Sequence, residues 1–203
     1  MPLTPQQLYS ESQARRSWRK FLPDAVDMDV IRQCIMTAGT APSGANMQPW
    51  HYTVIIDKDT KQKIRDKSEE IEREFYLKKI SDKWKEDLEI LELSIEKPFL
   101  TETPCLIAVF KETYRILEDG THAPNYYVNE SVGISMGLLI NALRNAGYAS
   151  LTYTPAPATF LREMLGRPQN ETPIMILAVG KRDEQYSLPP ITRKSFEEIA
   201  DII

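Results

Sequence analysis

Apolar residues return at helical spacing through Val30, Ile31, Cys34, Ile35 and Ala38, which predicts a helix over residues 24–38. Asp27 and Asp29 are available to cap it, and Gly39 follows its end. The next stretch, Thr40-Ala41-Pro42-Ser43-Gly44-Ala45, is a loop of small residues that lets the backbone turn sharply or approach a ligand. Alternation then predicts a strand over residues 50–56, with Trp50, Tyr52, Val54 and Ile56 on one face. Continuous apolar runs at residues 105–110 and 174–179 predict central strands buried on both faces. Residues 131–146 form a long apolar helical pattern, in which Gly133 and Gly137 would permit close backbone packing and after which Gly147 stops the helix. A strand over residues 148–154 and a short helix over residues 158–165, stopped by Gly166 and Pro168, complete the pattern.

One segment breaks this regularity. More than half of residues 57–97 are charged, and the sparse apolar positions suit a surface cover better than a core. Residues 57–100 are therefore expected to form a lid or arm on a single domain spanning residues 1–203. Helices and strands alternate irregularly, and neither a GxGxxG nor a GxxxxGK[ST] loop occurs. The expected fold class is α+β, a mixed three-layer arrangement.

Composition narrows the function. With 42% apolar and 27% charged residues the chain has the makeup of an ordinary soluble protein, and no apolar stretch approaches the roughly 20 residues that span a bilayer. The first residues lack a secretory signal pattern, and a cytoplasmic setting with no membrane partner is expected. A net charge of −4 with interspersed signs gives no footprint for nucleic acid. The two cysteines, Cys34 and Cys105, fall in apolar patterns and read as small core residues. His51 and His122 lie far apart without metal-ligand spacing, so no metal site is expected.

Chemistry concentrates in two places. Arg15-Arg16-Ser17-Trp18-Arg19 sets three guanidiniums and a hydroxyl within five residues, a match for phosphate oxygens, although a solvated basic turn has the same composition. Glu72 and Tyr76 are four apart and share a helix face, with Lys97 farther along. A carboxylate, a phenol and an ammonium suit a zwitterion, Glu72 taking its ammonium and Lys97 with Tyr76 its carboxylate. The same three residues also fit a crowded, solvated charge run.

A resemblance changes the weight of these signals. The Arg-Arg-Ser-x-Arg element, the Pro42-Ser43-Gly44-Ala45 loop followed by Gln48-Pro49-Trp50, Asn145-Ala146-Gly147 leading to Thr152-Tyr153-Thr154-Pro155, and Arg193-Lys194 resemble the nitroreductase family's FMN-binding pattern. Glu72, Tyr76 and Lys97, with Trp84 between them, are similar to the substrate triad of that family's iodotyrosine deiodinase branch. The resemblance covers residues 12–199. It implies a nitroreductase-like three-layer α/β/α sandwich around a central mixed sheet, with FMN at a homodimer interface and each site drawing on both subunits.

By the same resemblance, Arg15, Arg16, Ser17, Arg19 and Arg193 hold the phosphate and ribityl end of FMN, Ser43 lies against the flavin, and Thr152, Tyr153 and Thr154 pass beside it. Thr154 would donate to flavin N5, which favours single-electron steps. The implied reaction is reductive dehalogenation of a halotyrosine to tyrosine and halide, with the ring stacked on the flavin and its phenolate accepting the Ala45 N–H and a ribityl hydroxyl. The electron donor is NAD(P)H or a separate reductase. The chain departs from the pattern in having Tyr153 where a smaller residue is expected, and in lacking the N-terminal membrane anchor of vertebrate deiodinases. A general NAD(P)H-dependent nitroreductase or quinone reductase of the same fold is the alternative, and it would not need the triad. A non-catalytic module that binds flavin or halotyrosine is a third reading.

Overall fold

The computed structural model describes residues 4–78 and 94–203. Its strands are β1 (Trp50–Ile55), β2 (Cys105–Glu112), β3 (Tyr114–Ile116), β4 (His122–Pro124), β5 (Ala149–Tyr153) and β6 (Glu171–Gly180). Its helices among the described residues are α1 (Pro5–Gln13), α2 (Met28–Ala38), α3 (Lys58–Lys78), α4 (Phe99–Glu102), α5 (Val128–Asn145) and α6 (Phe160–Met164). Trp84 and the rest of the arm between residues 79 and 93 lie outside the described residues.

The central sheet has the order β1-β2-β6-β5, and every neighbouring pair in it is antiparallel. The mixed character expected of this sheet is confined to an isolated parallel bridge between Ser17 and Ser150 on the β5 edge. β2 explains the three layers, because successive side chains of a strand point to opposite faces. Leu106, Ala108 and Phe110 pack with Ile64 of α3, Phe99 and Leu100 of α4 and Leu161 of α6 on one face. Cys105, Ile107 and Val109 pack with Ile31 and Cys34 of α2 and with Val132, Met136, Leu139 and Leu143 of α5 on the other. Both cysteines are buried and unpaired, as their apolar settings suggest, and burial pushes the Cys105 thiol up to about 12. None of the helices among the described residues is long and apolar enough to cross a membrane.

Several expectations shift. α2 begins at Met28 rather than at residue 24 because Asp27, in an extended conformation, caps it by accepting the N–H groups of Asp29 and Val30. Ile56 leaves the strand and is exposed, while Ile55 turns into the opposite core cluster. Gly133 and Gly137 face outward with open space where a Cβ would stand, so they permit no close packing within this chain. Gly147 does end α5 as expected, at φ +85°, with its own N–H donating to Arg144 and that of Tyr148 to Leu143. The arm also contributes to the core. Lys61, Ile64 and Ser68 form a buried stripe on α3 at three- and four-residue spacing, and two of the three are polar. The Lys61 ammonium is satisfied by the carbonyls of Thr101 and Thr103 at the end of α4.

Candidate active site

The N-terminal segment runs along the β5 edge of the sheet. Ser17 bridges Ser150, Trp18 N–H donates to the Ser150 carbonyl at 3.3 Å, and Phe21 bridges Arg182. Trp18 packs against the core. The segment is thereby fixed along the sheet edge, where Arg15, Ser17 and Arg19 are each half-buried. Arg193 reaches back from the C-terminal stretch and donates to the Arg15 carbonyl at 3.3 Å, and Arg16 donates to the Pro189 carbonyl. Burial holds the Arg15 guanidinium below its usual range, and the nearby charges of Arg193, Arg144 and Arg16 depress it further. Four guanidiniums this close repel one another, and a dianionic phosphate among them would remove that repulsion. These residues fit the phosphate end of FMN.

At the far end of β5 a cavity of about 260 Å³ opens between the sheet and α3. Arg19, Glu72, Tyr76, Lys97, Thr152, Tyr153 and Thr154 all line it, so residues spread from position 19 to position 154 converge on one space. The three residues of the triad come together as their chemistry suggests. The Lys97 ammonium lies 3.2 Å from Glu72 Oε2, and both side chains are largely buried. Lys97 is held from several sides. Its N–H donates to Glu69 Oε1 at 2.8 Å, its carbonyl accepts the Leu100 N–H as α4 begins, and its ammonium donates to the Ser94 carbonyl. Burial depresses the Lys97 ammonium below the ordinary lysine range against the opposing pull of Glu72. Burial, and then Glu72, raises the Tyr76 phenol, which therefore stays a proton donor.

Tyr153 takes a part in this cluster that the sequence did not reveal. Its hydroxyl donates to Glu72 Oε1 at 3.1 Å, its ring meets Phe99 edge-on at 5.5 Å, and the Lys97 ammonium lies 5.9 Å from its ring centre. Burial and the Glu72 charge both push its phenol upward, which keeps it protonated. Glu69 was also missed, although it precedes Glu72 by three residues and so shares its helix face. Ile71, Phe75 and Phe99 supply apolar walls.

Ser43 and Ala45 do not line the cavity within the chain. They sit in a loop whose backbone is unusual: Ala45, Asn46 and Gln48 all have φ between 48° and 55°, the left-handed region that side chains rarely adopt. The loop is held by Ser43, whose hydroxyl accepts the Gln48 N–H at 2.9 Å and whose carbonyl accepts the Asn46 N–H at 3.0 Å. Met47 N–H donates to Gly44 and Gly44 N–H to the Ser131 hydroxyl. Of amides 44–48, that of Ala45 alone has no partner among the described residues. Gly44 is needed for close approach, since a Cβ there would stand 2.9 Å from the Tyr126 carbonyl oxygen and 2.9 Å from the Tyr127 ring. Gly44→Ala is expected to destabilise the fold by about 1–3 kcal/mol through overpacking, measured by chemical denaturation.

A sheet covered on both faces, an arginine cluster suited to a phosphate, and an aromatic-walled cavity carrying a buried ion pair fit a protein that holds a phosphate-bearing ligand at the edge of its sheet. The Nitroreductase family model matches residues 13–181, and the chain belongs to that family. Its relatives place it in the iodotyrosine deiodinase branch. It is 45% identical over 180 residues to iodotyrosine deiodinase of the bacterium Haliscomenobacter hydrossis, an alignment covering 89% of this chain and 81% of that one. It is 39% identical to human iodotyrosine deiodinase 1, covering 96% of this chain and 68% of the human protein. A crystal structure of oxidized iodotyrosine deiodinase bound to FMN and 3-iodo-L-tyrosine superposes with a TM-score of 0.80 at 29% identity, covering 93% of this chain and 96% of the other.

Proposed function

We propose that the chain is an FMN-dependent reductive dehalogenase that converts halotyrosines to tyrosine and halide. The observation that carries this reading is the buried Glu72–Lys97 pair beside Tyr76, on the wall of a cavity that Thr154 and Arg19 also line. An amino-acid zwitterion brings one charge of each sign, so it can enter this pair and leave both side chains with a partner. Its ammonium goes to Glu72 and its carboxylate to Lys97 and Tyr76. A ligand with a single charge would strand one member of the pair, and this selects for amino acids. A general nitroreductase or quinone reductase has no use for such a device.

Arg15, Arg16, Ser17, Arg19 and Arg193 would hold the phosphate and ribityl end of FMN, Ser43 would lie against it, and Thr152, Tyr153 and Thr154 would pass beside the ring. Reduced FMN, when bound, supplies two electrons one at a time, which with one proton replace the carbon–halogen bond by a carbon–hydrogen bond and release halide. The Thr154 hydroxyl, at the cavity wall, would donate to the ring's N5. The Ala45 N–H, without a partner among the described residues, is a donor suited to the substrate's phenolate. Within residues 57–100, the part of α3 that carries Glu72 and Tyr76 would cover the cavity as a lid and exclude water once the zwitterion is bound.

Ser43 and Ala45 serve this chemistry only if a second copy brings them to the cavity, and the reading therefore includes a homodimer. The outward face of α5 suits it, with the bare backbone of Gly133 and Gly137 beside exposed Ile134. A cytoplasmic setting, and NAD(P)H or a separate reductase as electron donor, complete the proposal.

The test is direct. The purified protein should be yellow, and iodotyrosine should quench its flavin fluorescence at concentrations where tyrosine does not. After anaerobic reduction, one equivalent of iodotyrosine should yield one equivalent of tyrosine and one of iodide. A colourless protein reconstituted with FMN that neither binds nor dehalogenates iodotyrosine overturns the reading.

A further inference from the structure

The Glu72 carboxylate uses its two oxygens differently. Oε1 accepts the Tyr153 hydroxyl at 3.1 Å, and Oε2 faces the Lys97 ammonium at 3.2 Å. The two partners also differ in how they are fixed. Lys97 reaches Glu72 with the end of a long side chain from the entry to α4, whereas Tyr153 is the last residue of β5, and its partly buried ring is packed edge-on against Phe99. Glu72 belongs to α3, the helix on the other side of the cavity from β5. A long carboxylate side chain on a helix has many rotamers, and one hydrogen bond from a rigid strand selects among them.

We infer that Tyr153 is a positioning residue for substrate recognition: its phenol occupies Glu72 Oε1 and so presents Oε2 to the substrate's ammonium. The inference rests on the halotyrosine reading above and assigns Tyr153 a role through its side chain, beside any contact of its backbone with the cofactor. It also gives a physical reason for a large residue at a place where a small one is expected. A smaller side chain on β5 could not reach α3, and Glu72 would have to be held by other means. When the ammonium displaces Lys97 from Oε2, the bond to Tyr153 is untouched, so the carboxylate keeps its orientation through the exchange.

Tyr153→Phe isolates the hydroxyl, because it keeps the ring, its contact with Phe99 and its place under Lys97. In the FMN-loaded enzyme the variant should bind iodotyrosine about ten-fold more weakly, the effect of one hydrogen bond to a charged group. KM should rise by a similar factor, and by more than any change in kcat. Binding of 2-iodophenol, which has the ring and halogen but no ammonium, should be unaffected. In a Glu72→Gln background the further change Tyr153→Phe should add little, since both act through the same carboxylate. The inference is overturned if the variant binds iodotyrosine like the parent, if 2-iodophenol is weakened equally, or if the two substitutions are additive. Should the parent enzyme itself fail to bind iodotyrosine, the substrate reading falls and takes this inference with it, a result visible before any variant is made.

Discussion

Glu72→Gln should lower kcat/KM for iodotyrosine by at least about 30-fold, because truncating one partner of a desolvated charge pair costs about 2–5 kcal/mol. The side chain keeps its size, so the effect is one of charge. Two losses combine. The substrate's ammonium loses its counter-charge, and the Lys97 ammonium, largely buried, loses the charged partner it has at 3.2 Å. The loss should fall mainly on KM, since the ammonium is remote from the reacting carbon and is bound equally before and during the reaction. Flavin content should not change. A halophenol without the amino-acid group should be turned over as by the parent, and that comparison separates loss of recognition from general damage. A variant with parental kinetics toward iodotyrosine would sink the substrate assignment.

Arg15→Ala should weaken FMN binding by about 10- to 100-fold, the range for loss of a hydrogen bond between charged groups. The argument comes from repulsion. Burial and the charges of Arg193, Arg144 and Arg16 all disfavour the Arg15 guanidinium, so the protein keeps it there at a cost that only an anion can offset. Removing it should therefore leave the flavin-free protein as stable as before, or slightly more so, while the rise in melting temperature on adding FMN shrinks. Riboflavin provides the control. It lacks the phosphate, and its weaker affinity should be the same for parent and variant. Equal losses for FMN and riboflavin would place the phosphate elsewhere.

Much of the architecture was legible along the chain. The apolar runs of β2 and β6 read as buried strands because both faces of a central strand demand hydrophobic residues, and the pattern survives without knowledge of the partners. α2 and α5 read as helices from their 3.6-residue period. The two short strands β3 and β4 went unread, since three residues carry too little period to register. α1 was overlooked despite a local signal: Thr4 caps it, Pro5 opens it and Gln7 closes a capping box. The antiparallel pairing of the sheet had no signature of its own, because pairing direction depends on connections rather than on which residues are apolar.

The site divides in the same way. Residue types and spacing along the chain, joined to a family resemblance, were enough to single out the arginine cluster, the Pro42-Ser43-Gly44-Ala45 loop and the Glu72, Tyr76 and Lys97 triad, because these are properties of neighbours in sequence. What folding alone decided were the relations across long separations. Tyr153 meets Glu72 across 81 residues, Lys97 N–H meets Glu69 across 28, and Arg193 reaches the Arg15 carbonyl across 178. The charged arm concealed its buried stripe for a related reason: the interior Lys61 ammonium is satisfied by carbonyls some 40 residues away, at the end of α4. Hydrophobic periodicity reports which side of an element faces the core. It is silent on polar groups whose burial depends on a partner elsewhere in the chain, and those are the groups that shape this cavity.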